Sequence, residues 1–122
     1  MYFGIYNWVD KSIKNPKSMD KRIIKSINRF ISLIRKNHKG VERAILFGSY
    51  AKNREKQESD IDIALVFENL NDNEKFDLQV QLLLLASQID SRIEPHPISR
   101  EDFNSDNPFV VEIQKTGIEI NI

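Results

Sequence analysis

One pattern restricts this chain more than any other. A short apolar run breaks into Gly48-Ser49, and ten residues later comes Asp60-Ile61-Asp62. Arg43-Ala44-Ile45-Leu46-Phe47 reads as a strand, and Asp60 to Phe67 reads as a second, rich in β-branched residues. Residues i and i+2 of a strand project from one face, so Asp60 and Asp62 point together while Ile61 and Ile63 point into a core. Two carboxylates that close repel each other unless a cation sits between them. Such a strand is a platform for a hard cation. Mg²⁺ fits it, because that ion takes one or two carboxylates together with phosphate oxygens.

The glycine-serine break supplies a place for those phosphates. A chain leaving a strand for a helical turn around Tyr50 to Arg54 presents unpaired N–H groups that favour anions. Gly48 permits close approach, and the Ser49 hydroxyl can donate to a phosphate oxygen. Lys52 and Arg54, on or just after the turn, are candidates to neutralise a leaving pyrophosphate, against the plainer reading of surface charges. A third carboxylate would complete a two-metal site. Glu94 is the candidate, in a third strand, Ile93 to Ile98, which Pro95 and Pro97 either place at a sheet edge or end early. His96, between those prolines, reads as a structural histidine. Four residues at this spacing arise by chance about once in several hundred chains of this length.

The rest of the chain alternates helices with strands. Ser18 is a candidate cap, with Asp20 in the first turn, for a helix carrying Ile23, Ile27, Phe30, Ile31 and Ile34, stopped at His38-Lys39-Gly40. Glu74 to Asp90 reads as a second helix. Its Leu82 to Leu85 run reads most simply as core, although the arc is wider than one buried face requires and leaves part of it to meet a partner. A short turn follows Ser99, a helix runs from about Pro108 to Lys115, and Ile118 to Ile122 is a last strand. The expected fold is α/β or α+β: a small mixed sheet of three to five strands flanked by helices.

At 122 residues the chain is expected to be one domain, with residues 18–122 as core and 1–17 as an N-terminal extension. That extension holds Tyr2, Phe3, Tyr6 and Trp8, which either fold back on the core or dock on another subunit. Basic and acidic residues balance at 18 each, which argues against general nucleic-acid binding. Cysteine is absent, which excludes disulfides, thiolate metal sites and cysteine nucleophiles. There is neither a membrane-spanning run nor a signal-peptide pattern, so the expectation is a soluble cytoplasmic protein.

Gly48-Ser49, ten residues, Asp60-x-Asp62 resembles the signature of the polymerase-β-type nucleotidyltransferase superfamily, and the compact size resembles its minimal nucleotidyltransferase (MNT) branch. The likeness covers about Glu42 to Ile98. It implies the nucleotidyltransferase fold, Mg²⁺, and ATP or another nucleoside triphosphate as substrate. It also implies that Gly48 and Ser49 take the triphosphate, that Asp60 and Asp62 take the metals, and that Glu94 stands in the third carboxylate's place. Two positions depart from the family: Asn53 stands where glycine is usual, and Glu94 where aspartate is frequent. Many MNT proteins are antitoxins of helical HEPN ribonuclease toxins, which the best-understood members silence by adenylylating a tyrosine. The expected activity is therefore transfer of a nucleoside monophosphate, AMP from ATP, to a hydroxyl of a HEPN-type partner. The few residues after the core point to an acceptor that brings its own surface. The rivals are a binding module that inhibits by contact, and an aminoglycoside-type transferase whose drug pocket a homo-oligomer would assemble.

Overall fold

The computed structural model describes residues 20–52, 54–56 and 59–122. Ser18, Asn53 and the aromatic N-terminal segment lie outside the described residues. The first helix, α1, spans Lys21–Asn37. Its N-cap is Asp20, whose carboxylate accepts from the Arg22 N–H at 2.8 Å, where the sequence reading put the cap at Ser18 and Asp20 in the first turn. Ile23, Ile24, Ile27, Phe30, Ile31 and Ile34 recur at helical spacing and are all buried.

Four strands make one mixed sheet: β1 (Val41–Phe47), β2 (Ile61–Phe67), β3 (Ile93–Ser99) and β4 (Ile118–Ile120), in the order β3-β2-β1-β4. β1 runs antiparallel to β2 and β4, and β2 runs parallel to β3. The parallel pair needs a crossover, which is α2 (Asp72–Ser87). Of the two outcomes that the prolines of β3 allow, an edge position or an early end, the edge position is the one found. Pro95 and Pro97 share one direction along the strand, so a single side lacks donors, and the strand continues unbroken to Ser99. Gln79 of α2 donates to the Pro95 carbonyl at 2.7 Å and covers part of that edge. After β3 come α3 (Arg100–Phe103), capped by the Ser99 hydroxyl, and α4 (Pro108–Thr116), capped by Asn107.

Alternation divides the core between the two sheet faces. Leu46, Ile61, Ile63, Leu65 and Ile93 pack under α1 and α2. Ile45, Ala64, Val66 and Ile98 pack under α3 and α4 with Phe103, Val110 and Ile113. α2 buries Leu82 and Ala86, yet Phe76, Val80, Leu83 and Leu84 stand exposed along its outer side. Gly117 lets β4 approach the sheet, since a methyl group there would sit on the Ile113 carbonyl oxygen and 2.5 Å from Ile45 Cγ2. None of the helices among the described residues is long and apolar enough to cross a membrane.

Candidate active site

The site grows out of sheet register. Asp62 of β2 stands opposite Phe47 of β1 on one side and Glu94 of β3 on the other. Cross-strand partners project from the same face, so Phe47, Asp62 and Glu94 form a row on the α4 side of the sheet. One row further in, His96 stands opposite Ala64, whose small side chain leaves room for the imidazole to lean toward Asp62. His96 Nε2 lies 3.1 Å from Asp62 Oδ1 and 3.9 Å from Glu94 Oε1. Asp62, Glu94 and His96 each offer a ligand atom, all within 4.8 Å of one another.

The turn after β1 closes over this row. Gly48 has φ 76°, a left-handed conformation that L side chains rarely adopt. A Cβ at this position would lie 2.6 Å from Asp62 Oδ2, so glycine is what lets the turn and the carboxylate share the space. The expected helical turn after it is a single turn and not a helix. The Lys52 N–H donates to the Gly48 and Ser49 carbonyls at 3.2 Å, and the Arg54 N–H donates to Ser49 at 2.9 Å.

Electrostatics agree with the geometry. Burial is the first cause that raises the Glu94 carboxyl above its ordinary value, followed by its hydrogen bond with Asp62 and the charges of Asp62 and Asp60, with His96 opposing. Burial and neighbouring negative charge both disfavour ionised Glu94, a cost that a cation relieves. An aromatic wall borders the row on its inner side. The Phe47 ring lies 5.0 Å from that of His96 and 5.7 Å from that of Phe109, which is half exposed on α4.

The structure brings together some of the residues selected from the sequence and leaves others apart. Asp62 and Glu94 meet, and Gly48 touches their space. Asp60 is exposed just before β2 and outside the close group, though its charge reaches Glu94. Ser49 is half-buried in the turn. Lys52 pairs with Glu112 of α4 at 3.1 Å, which ties the turn to that helix, and Arg54 is exposed. His96, set aside in the sequence as structural, belongs to the cluster. Its position two residues after Glu94 on a strand was the signal that could have found it.

Residues 28–121 match the family model described as Polymerase beta, Nucleotidyltransferase. No curated protein sequence matches the chain. Among solved structures, a toxin–antitoxin with AMP-PNP is 26% identical with TM-score 0.54, the match covering 75% of this chain and 69% of that one. A mutant of the MntA-HpeT toxin–antitoxin is 26% identical with TM-score 0.52, covering 75% and 68%. A tri-AMPylated HEPN toxin in complex with an MNT antitoxin from Shewanella oneidensis is 22% identical with TM-score 0.52, covering 80% and 70%, and supports the fold alone.

Proposed function

Since the chain belongs to the polymerase β nucleotidyltransferase family, we propose that it transfers AMP from ATP to a hydroxyl of a partner protein, as the MNT antitoxin of a HEPN-type toxin. The observation that carries this reading is the register of Asp62 with Glu94 beneath the Gly48 turn. It sets an acidic pair where a chain reversal offers backbone N–H groups to phosphate. The 26% identical toxin–antitoxin with AMP-PNP supports both the nucleotide class and the partner class.

The donor set fits Mg²⁺: Asp62 and Glu94 offer carboxylate oxygens within 4.8 Å of each other, and the charge of Asp60, just before β2, reaches Glu94. When bound, Mg²⁺ neutralises phosphate oxygens and favours ionisation of the attacking hydroxyl. The protein's part is to orient. Gly48 and Ser49 receive the β- and γ-phosphates, so the α-phosphorus faces the acidic row. The hydroxyl oxygen forms its bond to the α-phosphorus, the bond to the β-phosphate bridging oxygen breaks, and pyrophosphate leaves past Lys52 and Arg54. Glu94 either holds the ion with Asp62 or takes up the hydroxyl proton, the two roles its place in the row allows.

The test is incubation with the product of the adjacent reading frame, Mg²⁺ and ATP labelled at the α-phosphate. Label on that partner is expected. Removing a carboxylate that holds the ion forfeits several kcal/mol of transition-state stabilisation, so Asp62→Asn should slow transfer at least ~100-fold. No label on an intact partner overturns the transferase reading. A partner silenced equally by Asp62→Asn would replace it with inhibition by contact.

A further inference from the structure

The acidic row contains a nitrogen that a purely carboxylate site would not have. We propose that His96 is a direct ligand of the cation site, so that Asp62, Glu94 and His96 form a two-oxygen, one-nitrogen donor set that prefers Mn²⁺ to Mg²⁺. The inference rests on the transferase reading only in taking the acidic row as the place where a divalent ion binds.

Spacing is the first argument. An octahedral ion with bonds of ~2.1 Å holds neighbouring ligands ~3.0 Å apart and opposite ones ~4.2 Å apart. His96 Nε2 is 3.1 Å from Asp62 Oδ1, the spacing of neighbours, and 3.9 Å from Glu94 Oε1, nearer the spacing of opposite ligands. Orientation is the second. The imidazole is braced by the Phe47 ring at 5.0 Å and 63° and by the Phe109 ring at 6.2 Å, with Ala64 rather than a larger residue beside it. Nε2, the atom at the acids, is the one aimed into the row. Chemistry is the third. Imidazole nitrogen is a soft enough donor to favour first-row transition ions, whereas Mg²⁺ seeks oxygen.

The probe is Mn²⁺ alone, without nucleotide, so that no adenine nitrogen can contribute. Pulsed electron paramagnetic resonance of the bound Mn²⁺ should show ¹⁴N modulation in the wild type and none in His96→Gln. Direct titration should find Mn²⁺ held at least ~10-fold more tightly than Mg²⁺, a preference that His96→Gln should largely erase. Circular dichroism of His96→Gln should match the wild type, which separates ligand loss from unfolding. Bound Mn²⁺ lacking ¹⁴N modulation, or modulation that survives His96→Gln, overturns the proposal and leaves the acidic site standing. Such a result would make His96 a residue that only orients Asp62. Failure of Mn²⁺ to bind at all overturns the proposal together with the site reading, and Asp62→Asn defines the signal of that outcome.

Discussion

At Gly48 a single hydrogen atom separates a working turn from a collision. The residue combines a left-handed backbone with an Asp62 oxygen 2.6 Å from where a Cβ would stand. Gly48→Ala should therefore meet two penalties. The left-handed conformation costs an L-residue roughly 1–2 kcal/mol. The methyl group must also push Asp62 aside, which should weaken Mn²⁺ or Mg²⁺ binding more than it weakens folding. Urea unfolding and metal titration of the same variant check both. Unchanged metal affinity in a folded Gly48→Ala would show that the turn does not set the carboxylate. Asp62→Asn separates chemistry from architecture differently: it keeps the shape and the bond to His96, so thermal stability should stay near wild type while label transfer falls.

At the scale of elements, α2 shows how little intrinsic apolarity says about burial. Leu82 and Leu84 are two residues apart on one helix, yet Leu82 is fully buried and Leu84 is 61% exposed. Leu82→Ala should cost about 2–5 kcal/mol in denaturant unfolding, through lost burial and the cavity left behind. Leu84→Ala should stay within about 0.5 kcal/mol. Equal costs would mean that the helix is rotated from the position described. The connection from α2 to β3 is held by Asp90, whose carboxylate accepts from the Arg92 N–H at 3.0 Å and pairs with the guanidinium at 2.8 Å. The Arg92 hydrogen bond is the first cause that lowers Asp90 below its ordinary 3.8. A carboxyl depressed in the folded state adds stability above its unfolded value, and that stability is lost as pH falls through the depressed one. Stability should thus decline on acidification below about pH 4, and Asp90→Asn should show a smaller decline over that window. Parallel curves for the two proteins would remove Asp90 from the account.

For the molecule as a whole, binding at a site that forms only in the folded state must raise stability. At a ligand concentration a hundred times the dissociation constant the gain is about 2.7 kcal/mol. For a chain of 122 residues this shifts the unfolding midpoint by on the order of 10 °C. Mg²⁺ with a non-hydrolysable ATP analogue should produce such a shift in differential scanning calorimetry, and a chelator should reverse it. The site draws on β1, β2, β3 and the turn between β1 and β2, so occupancy braces elements far apart in the chain. A midpoint indifferent to both additions would count against a built nucleotide site.

Local chemistry by itself determined much of this protein. The apolar run into Gly48, the alternation of Asp62 with Ile61 and Ile63, the helical spacing of α1 and the choice between edge and early end that Pro95 and Pro97 impose are all short-range patterns, so the sequence alone carries them. That segment carries the family resemblance, and the family model extends the match to residues 28–121. What tertiary structure alone decided was which side chains meet. The pairing of Asp62 with Glu94 depends on parallel register between strands joined by a whole helix, and no local periodicity encodes that. His96 joined the acids because Ala64 stands beside it and Asp62 stands within reach, and a reading along one strand contains neither fact. Lys52 turned toward Glu112 for the same reason: its partner comes from a helix that only folding brings near.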